Sequence, residues 1–226
     1  MIKFESVTKS YKDGTVAVED LTLSIPSSSF VFLVGPSGAG KTTLIKLLIH
    51  EELPSSGSIF VDGVDITKMN KKMLPELRRK IGVVFQDFKL LNSKTVFENV
   101  AVSLEVVDRP EYEISQIVPN ALNLVGLSSK MKSFPYQLSG GEKQRLTIAR
   151  ALAHEPKVLI ADEPTGNIDP IATAEVVDLL EKINGLGTLV IMATHDMDIV
   201  NKLKKRVIVL DKGKVVQDVD QGGNET

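Results

Sequence analysis

The chain has 226 residues, 42% hydrophobic and 25% charged, enough to bury a sizeable core in one large or two small domains. A formal net charge of −2 gives no electrostatic case for a nucleic-acid partner, and the lack of cysteine excludes disulfides and thiolate metal sites. No apolar run in the sequence approaches the ~20 residues that cross a bilayer, and Glu5 and Lys9 break up the first ten residues too much for a signal peptide.

From Met1 to Ile25, short β-type runs flank the turn YKDGT (Tyr11–Thr15). FVFLV (Phe30–Val34) is apolar on both faces and reads as a buried strand. GPSGAGKT (Gly35–Thr42) follows, and TLIKLLIHEEL (Thr43–Leu53) has helical spacing. SGSIFVDGVDI (Ser56–Ile66) predicts a hairpin turning at Asp62-Gly63, and KIGVVFQ (Lys80–Gln86) another strand. From about residue 92 to 155 the pattern turns helical. VFENVAVSLEVV (Val96–Val107) and EKQRLTIARALA (Glu142–Ala153) read as helices, and so does EISQIVPNALNLVGL (Glu113–Leu127), kinked or ended at Pro119.

Strand and helix then alternate through KVLIADE (Lys157–Glu163), ATAEVVDLLEKING (Ala172–Gly185) and GTLVIMATHD (Gly187–Asp196). Such alternation implies an α/β fold, a largely parallel sheet with helices on both faces. KRVIVLDKGKVVQ (Lys205–Gln217) reads as a hairpin turning at Asp211 to Gly213, and DVDQGGNET (Asp218–Thr226) as a frayed polar tail. The reading is of one domain, residues 1–226, with a helical subdomain over about residues 92–155.

GPSGAGKT satisfies G-x-x-x-x-G-K-[ST], with a buried strand before it and a helix after it. This sets Gly35, Pro36, Ser37, Gly38, Ala39 and Gly40 around the phosphates of a nucleotide. Gly38 and Gly40 let backbone N–H groups face the anion unobstructed, and the helix adds its positive end. Lys41 supplies a charge for the β- and γ-phosphates, and Thr42 a hydroxyl for Mg²⁺. Thr43 either reaches another phosphate or simply begins the helix.

In VLIADE, an apolar strand delivers Asp162 to its carboxyl end, where open α/β sheets bind ligands. Asp162 is the candidate to hold Mg²⁺, directly or through water. Glu163 follows, on the opposite side of the strand if the chain stays extended, and is the candidate to orient or deprotonate a water. Gln86 ends a strand and is either a sensor of Mg²⁺ and the γ-phosphate or a polar start to a loop. His195 ends LVIMATH on the same edge of the sheet, which favours a γ-phosphate contact. Tyr11 either stacks on adenine or is an ordinary strand tyrosine.

A second glycine pair, Gly140-Gly141 in QLSGGEKQR (Gln137–Arg145), looks suited to close approach of a phosphate, although one nucleotide already has its cradle. The P-loop, LSGGE (Leu138–Glu142), VLIADE, Gln86 and His195 together resemble the ATPase domain of the ABC (ATP-binding cassette) family, over Tyr11 to about Gly213. The resemblance implies a P-loop NTPase of ABC type, with an N-terminal antiparallel β subdomain and a helical insert. It implies ATP and Mg²⁺ as cofactors and ATP hydrolysis as the activity. Two such domains pack head to tail in this family, with ATP between the P-loop of one and the signature of the other.

Ser139, Gly140, Gly141 and Glu142 would then serve the partner's nucleotide, and a second copy of the chain would complete each site. A membrane-embedded partner is also implied, with this chain peripheral on the cytoplasmic face, in a groove to which Phe88 would contribute; packing of Phe88, Leu90 and Leu91 under the helical insert is the other reading. GNID (Gly166–Asp169) departs at Asn167 from the Ser-Ala-Leu-Asp common at this place in the family. VVFQDFKLL (Val83–Leu91) and TVFENV (Thr95–Val100) resemble the bacterial cell-division branch. DEPTGNID (Asp162–Asp169) is shared with the lipoprotein-release and macrolide-efflux branches, which remain the alternative, and a soluble ABC ATPase without a membrane partner is the less favoured one.

Overall fold

Alternating burial builds the first sheet. The structure, a computed structural model, describes residues 1–220. Along β1 (Ile2–Ser10), Ile2, Phe4 and Val7 point inward, and along β2 (Val16–Ile25), Val18, Leu21, Leu23 and Ile25 do the same. The two strands pair antiparallel with register shifts. Positive φ at Ser6 (46°) and Asp20 (43°) accompanies the shifts, and the hydroxyls of Thr22 and Thr8 accept the N–H groups of those two residues.

β3 (Phe30–Val34) is buried along its whole length and leads to α1 (Lys41–Leu48). The expected helix to Leu53 stops short because His50 turns left-handed (φ 54°) and the N–H groups of Glu51 and Glu52 both return to the Lys46 carbonyl. β4 (Ser56–Val61) and β5 (Val64–Asp65) form the expected hairpin, with Asp62 and Gly63 both at positive φ. Antiparallel pairing gives the sheet order β2-β1-β4-β5.

α2 (Leu74–Lys80) leads into β6 (Ile81–Val84), which ends two residues before Gln86. α3 (Val96–Glu105), α4 (Glu111–Leu124) and α5 (Gly140–Leu152) follow. Of the kink or end expected at Pro119, the end does not occur, and α4 runs through the proline. Its buried face of Ile114, Val118, Ala121 and Leu122 is continuous across the proline, and that packing outweighs one missing donor.

β7 (Val158–Asp162), α6 (Pro170–Gly185), β8 (Leu189–Thr194) and α7 (Met197–Leu203) restore the alternation. β9 (Arg206–Asp211) and β10 (Lys214–Asp220) close the chain as an antiparallel hairpin. The six-stranded sheet runs β10-β9-β3-β8-β7-β6, parallel from β9 to β6. The polar tail expected from Asp218 is strand over its first three residues. Asp218 to Asp220 belong to β10, where Asp218 takes both guanidinium bonds of Arg206 at 2.8 and 2.7 Å. The rest of that tail lies outside the described residues.

The central strands feed two cores. Phe30, Phe32 and Val34 of β3 pack on the side of α3 to α6, with Leu159 and Ala161 of β7 and Val190 and Met192 of β8. Val31 and Leu33 face the other way, toward α1 and the four-stranded sheet. Strands buried on both faces in this way read as continuous apolar runs, so periodicity alone shows them as buried without saying which residue faces which layer.

Candidate nucleotide-binding and hydrolysis site

The P-loop lies at the carboxyl end of β3, and its backbone is possible only with glycine at the tight points. Gly38 and Gly40 have φ of 80° and 106°. A Cβ on Gly40 would meet the Ala17 carbonyl at 2.5 Å, and one on Gly35 would meet the Leu210 carbonyl at 2.3 Å. α1 begins at Gly40 with no side-chain cap and no acidic residue in its first turn. Its leading N–H groups thus remain available to an anion, with the helix dipole behind them. Lys41 is 9% exposed, and its ammonium donates to the carbonyls of Gly35 (2.5 Å) and Pro36 (3.2 Å). That grip aims the charge back across its own loop.

A cavity of about 720 Å³ opens over this loop. Ser37, Gly38, Ala39, Gly40, Lys41, Thr42 and Thr43 line it together with Gln86, Asp162, Glu163 and His195. Residues far apart in sequence thus meet because β3, β6, β7 and β8 end on one edge of a parallel sheet.

Asp162 ends β7, and the Thr42 hydroxyl donates to its Oδ2 at 3.4 Å. Burial pushes the Asp162 carboxyl above the usual carboxylate range, the charge of Glu163 adds to this, and the Thr42 bond and Lys41 pull the other way. Thr42 and Asp162 offer hard oxygen donors, with the Gln86 side chain on the same cavity wall. Among the described residues no cluster of three or more His, Cys, Asp or Glu could hold a metal. Two protein oxygens beside phosphate and water suit Mg²⁺, which seldom uses an all-protein cage.

Glu163 does not continue the strand, contrary to the extended expectation. It turns left-handed (φ 48°), and its N–H donates to the Ala193 carbonyl at 2.9 Å. The turn keeps its carboxylate on the cavity that Asp162 also lines, instead of across the strand from it. A non-glycine residue held in this region is strained. His195 Nδ1 stands 3.0 and 2.9 Å from the two carboxylate oxygens of Glu163, so the imidazole fixes the group that would meet a water.

Tyr11 stands back from the cavity. Its hydroxyl is 3.5 Å from Thr43 Oγ1, and Lys9 Nζ sits 5.1 Å over its ring. The wall on that side consists of Thr15, Val16 and Ala17 instead. The YKDGT turn announces a bend at this place, but nothing local announces that Ala17, two residues beyond it, closes against Gly40.

Ser139 to Glu142 do not line this cavity. Ser139 caps α5, accepting the Glu142 N–H at 3.2 Å, and the Glu142 carboxylate accepts the Ser139 N–H at 2.9 Å. Glu142 is thereby turned onto its own helix, whereas the Ser139 hydroxyl keeps its proton to donate. Gly141 is buried: a Cβ there would lie 2.5 Å from Ala172 Cβ, so this glycine serves the approach of α5 to α6. A Cβ on Gly140 would meet Ile168 at 3.3 Å and the Asn167 carbonyl at 3.5 Å, so GNID packs beside the signature. Asp169 caps α6 through the N–H groups of Ile171 and Ala172.

Comparison with known proteins agrees with this geometry. Residues 18–166 match the ABC transporter family. The chain is 50% identical to the cell division ATP-binding protein FtsE of Bacillus subtilis, over 98% of this chain and 97% of that protein. It is 49% identical to FtsE of Streptococcus pneumoniae, over 98% and 96%. Its fold superposes with a TM-score of 0.88 on a dimeric post-hydrolysis state of the ATP-binding cassette MJ0796 bound to ADP and Pi, at 33% identity over 99% of this chain and 100% of that one. Likeness of this extent in both sequence and fold makes the chain a member of the ABC transporter family, an ATP-hydrolysing subunit most like the FtsE cell-division proteins.

Proposed function

We propose that the chain acts as FtsE does by name, in cell division, on the cytoplasmic face of the membrane with the integral membrane protein FtsX. In this reading ATP-driven closure of a dimer moves the partner, which controls peptidoglycan hydrolases, and no solute is carried. The observation that supports it most is half-identity to cell-division proteins over nearly the whole length of both chains. Among the described residues no helix is long and apolar enough to cross a membrane, which agrees with a peripheral subunit that borrows its anchor.

The chemistry proposed follows from the residues. Gly38 to Thr43 hold the phosphates with backbone N–H groups, and Lys41 neutralises charge that develops on the γ-phosphoryl group. Glu163 takes a proton from the attacking water as its oxygen bonds to phosphorus and the bond to the ADP oxygen breaks. His195 keeps the Glu163 carboxylate in place and reaches the γ-phosphate. Thr42 and Asp162, with Gln86, would hold Mg²⁺, which supplies charge neutralisation on the phosphate oxygens. Ser139, with the N–H groups of Gly140 and Gly141, would meet the γ-phosphate of a second copy, because these groups lie outside the chain's own cavity. Tyr11 is proposed to stack on adenine, reached from beside Thr43.

The test is co-purification from detergent-solubilised membranes with FtsX. The proposal expects recovery with FtsX. Recovery with a lipoprotein-release or efflux permease, and none with FtsX, would overturn it.

A further inference from the structure

The loop that carries Gln86 leaves the sheet at Val84, yet side chains of two helices hydrogen-bond to its backbone. Lys89 adopts φ 47°, a conformation unfavourable for a non-glycine residue, and its ammonium sits 4.0 Å over the Phe85 ring. The carbonyls on either side of that strained point share one donor. Arg150 gives Nη2 to the Phe88 carbonyl at 2.9 Å and Nη1 to the Lys89 carbonyl at 2.8 Å. Asn99, fully buried, pins Leu91 by bonding both its N–H and its carbonyl.

Arg150 is an unusual choice for a purely structural tie. Its guanidinium is partly buried, and among the described residues no carboxylate pairs with it. Burial lowers its pKa, the mark of a charge kept away from water at a cost. Two consecutive carbonyls match the planar fork of a guanidinium, which an ammonium cannot span. The residue also belongs to α5, the helix that Ser139 opens roughly three turns earlier.

We infer that Arg150 is the positioning residue for Gln86, tying the Gln86 loop to the helix that the signature opens. Arg150 does not touch the cavity itself; it acts by fixing Phe88 and Lys89 so that Gln86 reaches the cavity wall beside Gly166, whose notional Cβ lies 3.7 Å from Gln86 Nε2. The inference concerns ATP hydrolysis by the chain and does not depend on which membrane protein it serves.

The experiment is a double-mutant cycle on kcat for ATP, with Arg150→Lys, Gln86→Ala and the double variant of the full chain, alongside ATP binding and a thermal melt. Arg150→Lys is chosen because it retains charge and stem and loses only the fork. The expected result is a kcat lowered about tenfold to a hundredfold, the order that a displacement near 1 Å brings, with ATP Kd within about threefold of the parent. In the Gln86→Ala background the same change should cost under about twofold, because Arg150 acts through Gln86. Full additivity of the two changes would overturn the inference, as would a parent-like kcat for Arg150→Lys. A loss of ATP binding in proportion to kcat would overturn it too, by showing a general structural role. Arg150→Met serves as a second variant: with the charge and fork both gone, kcat must fall below that of Arg150→Lys, and equal or higher kcat would contradict the assignment.

Discussion

His195 and Glu163 form one unit: the imidazole Nδ1 faces both carboxylate oxygens, at 3.0 and 2.9 Å, at the end of two adjacent parallel strands. Glu163 is 15% exposed in its side chain and His195 75%, so the imidazole covers the carboxylate from the open side. His195→Ala leaves Glu163 without that orienting contact. The expected outcome is a kcat about 10²-fold lower with ATP affinity little changed, measured by steady-state hydrolysis and equilibrium binding. An equal loss of both would mean that His195 holds the nucleotide and not the base.

Asp162 makes the site costly to the fold. Its carboxyl pKa is raised, first by burial and then by Glu163, so folding penalises the ionised form relative to the unfolded chain. Stability from this group is present below the ordinary carboxylate pKa and is lost as pH rises through the raised value. At neutral pH the ionised group therefore destabilises the chain. Asp162→Asn should raise the melting temperature at neutral pH without nucleotide, while Mg²⁺-dependent hydrolysis falls steeply. A lower melting temperature would refute this reading of the carboxylate.

Gly141→Ala should destabilise the fold. Its Cβ would overlap that of Ala172, and overpacking of this kind costs about 1–3 kcal/mol, roughly 2–12 °C in melting for a chain of this size. An unchanged melt would show that α5 and α6 separate freely.

The loop after Gln86 divides its apolar residues. Leu90 packs against the core beside the helices, whereas Leu91 is 41% exposed and Phe88 is half-buried outside that cluster. Leu90→Ala should lower the melting temperature. Phe88→Ala should leave it within a few degrees and weaken recovery with FtsX. A large loss of melting temperature for Phe88→Ala would place Phe88 in the core.

Much of this was legible in the residues because the signals are local. FVFLV and LVIMAT are buried strands by composition alone, and GPSGAGKT names its own backbone. Asp62-Gly63 and Lys212-Gly213 turn where turn chemistry puts them. The misses are long-range. Nothing near Pro119 tells that packing carries α4 across it. Glu163 looks like the next residue of a strand, and only the Ala193 carbonyl of β8 shows why it turns. Gly141 reads as a phosphate glycine, and nothing in the signature itself tells that it also lets α5 approach α6. Thr15 to Ala17 reach the cavity, and Arg150 the Gln86 loop, by contacts that no spacing encodes.

The head-to-tail arrangement proposed for two copies has its own test. Lys41→Ala and Ser139→Arg chains, each nearly inactive alone, should recover part of the activity when mixed, because one of the two composite sites is then intact. Confirmed mixed dimers without activity would oppose independent sites composed in trans.

The most direct measurement is on Glu163→Gln, which keeps the shape of the side chain and cannot take a proton. Hydrolysis and molecular mass are measured together, with ATP and Mg²⁺. The account predicts ATP binding like the parent, turnover lower by about 10²–10⁴-fold, and a dimer that accumulates with ATP and disperses when ATP is withdrawn. Turnover at the parent rate would remove Glu163 from the reaction, and a chain that stays monomeric while holding ATP would contradict the shared site.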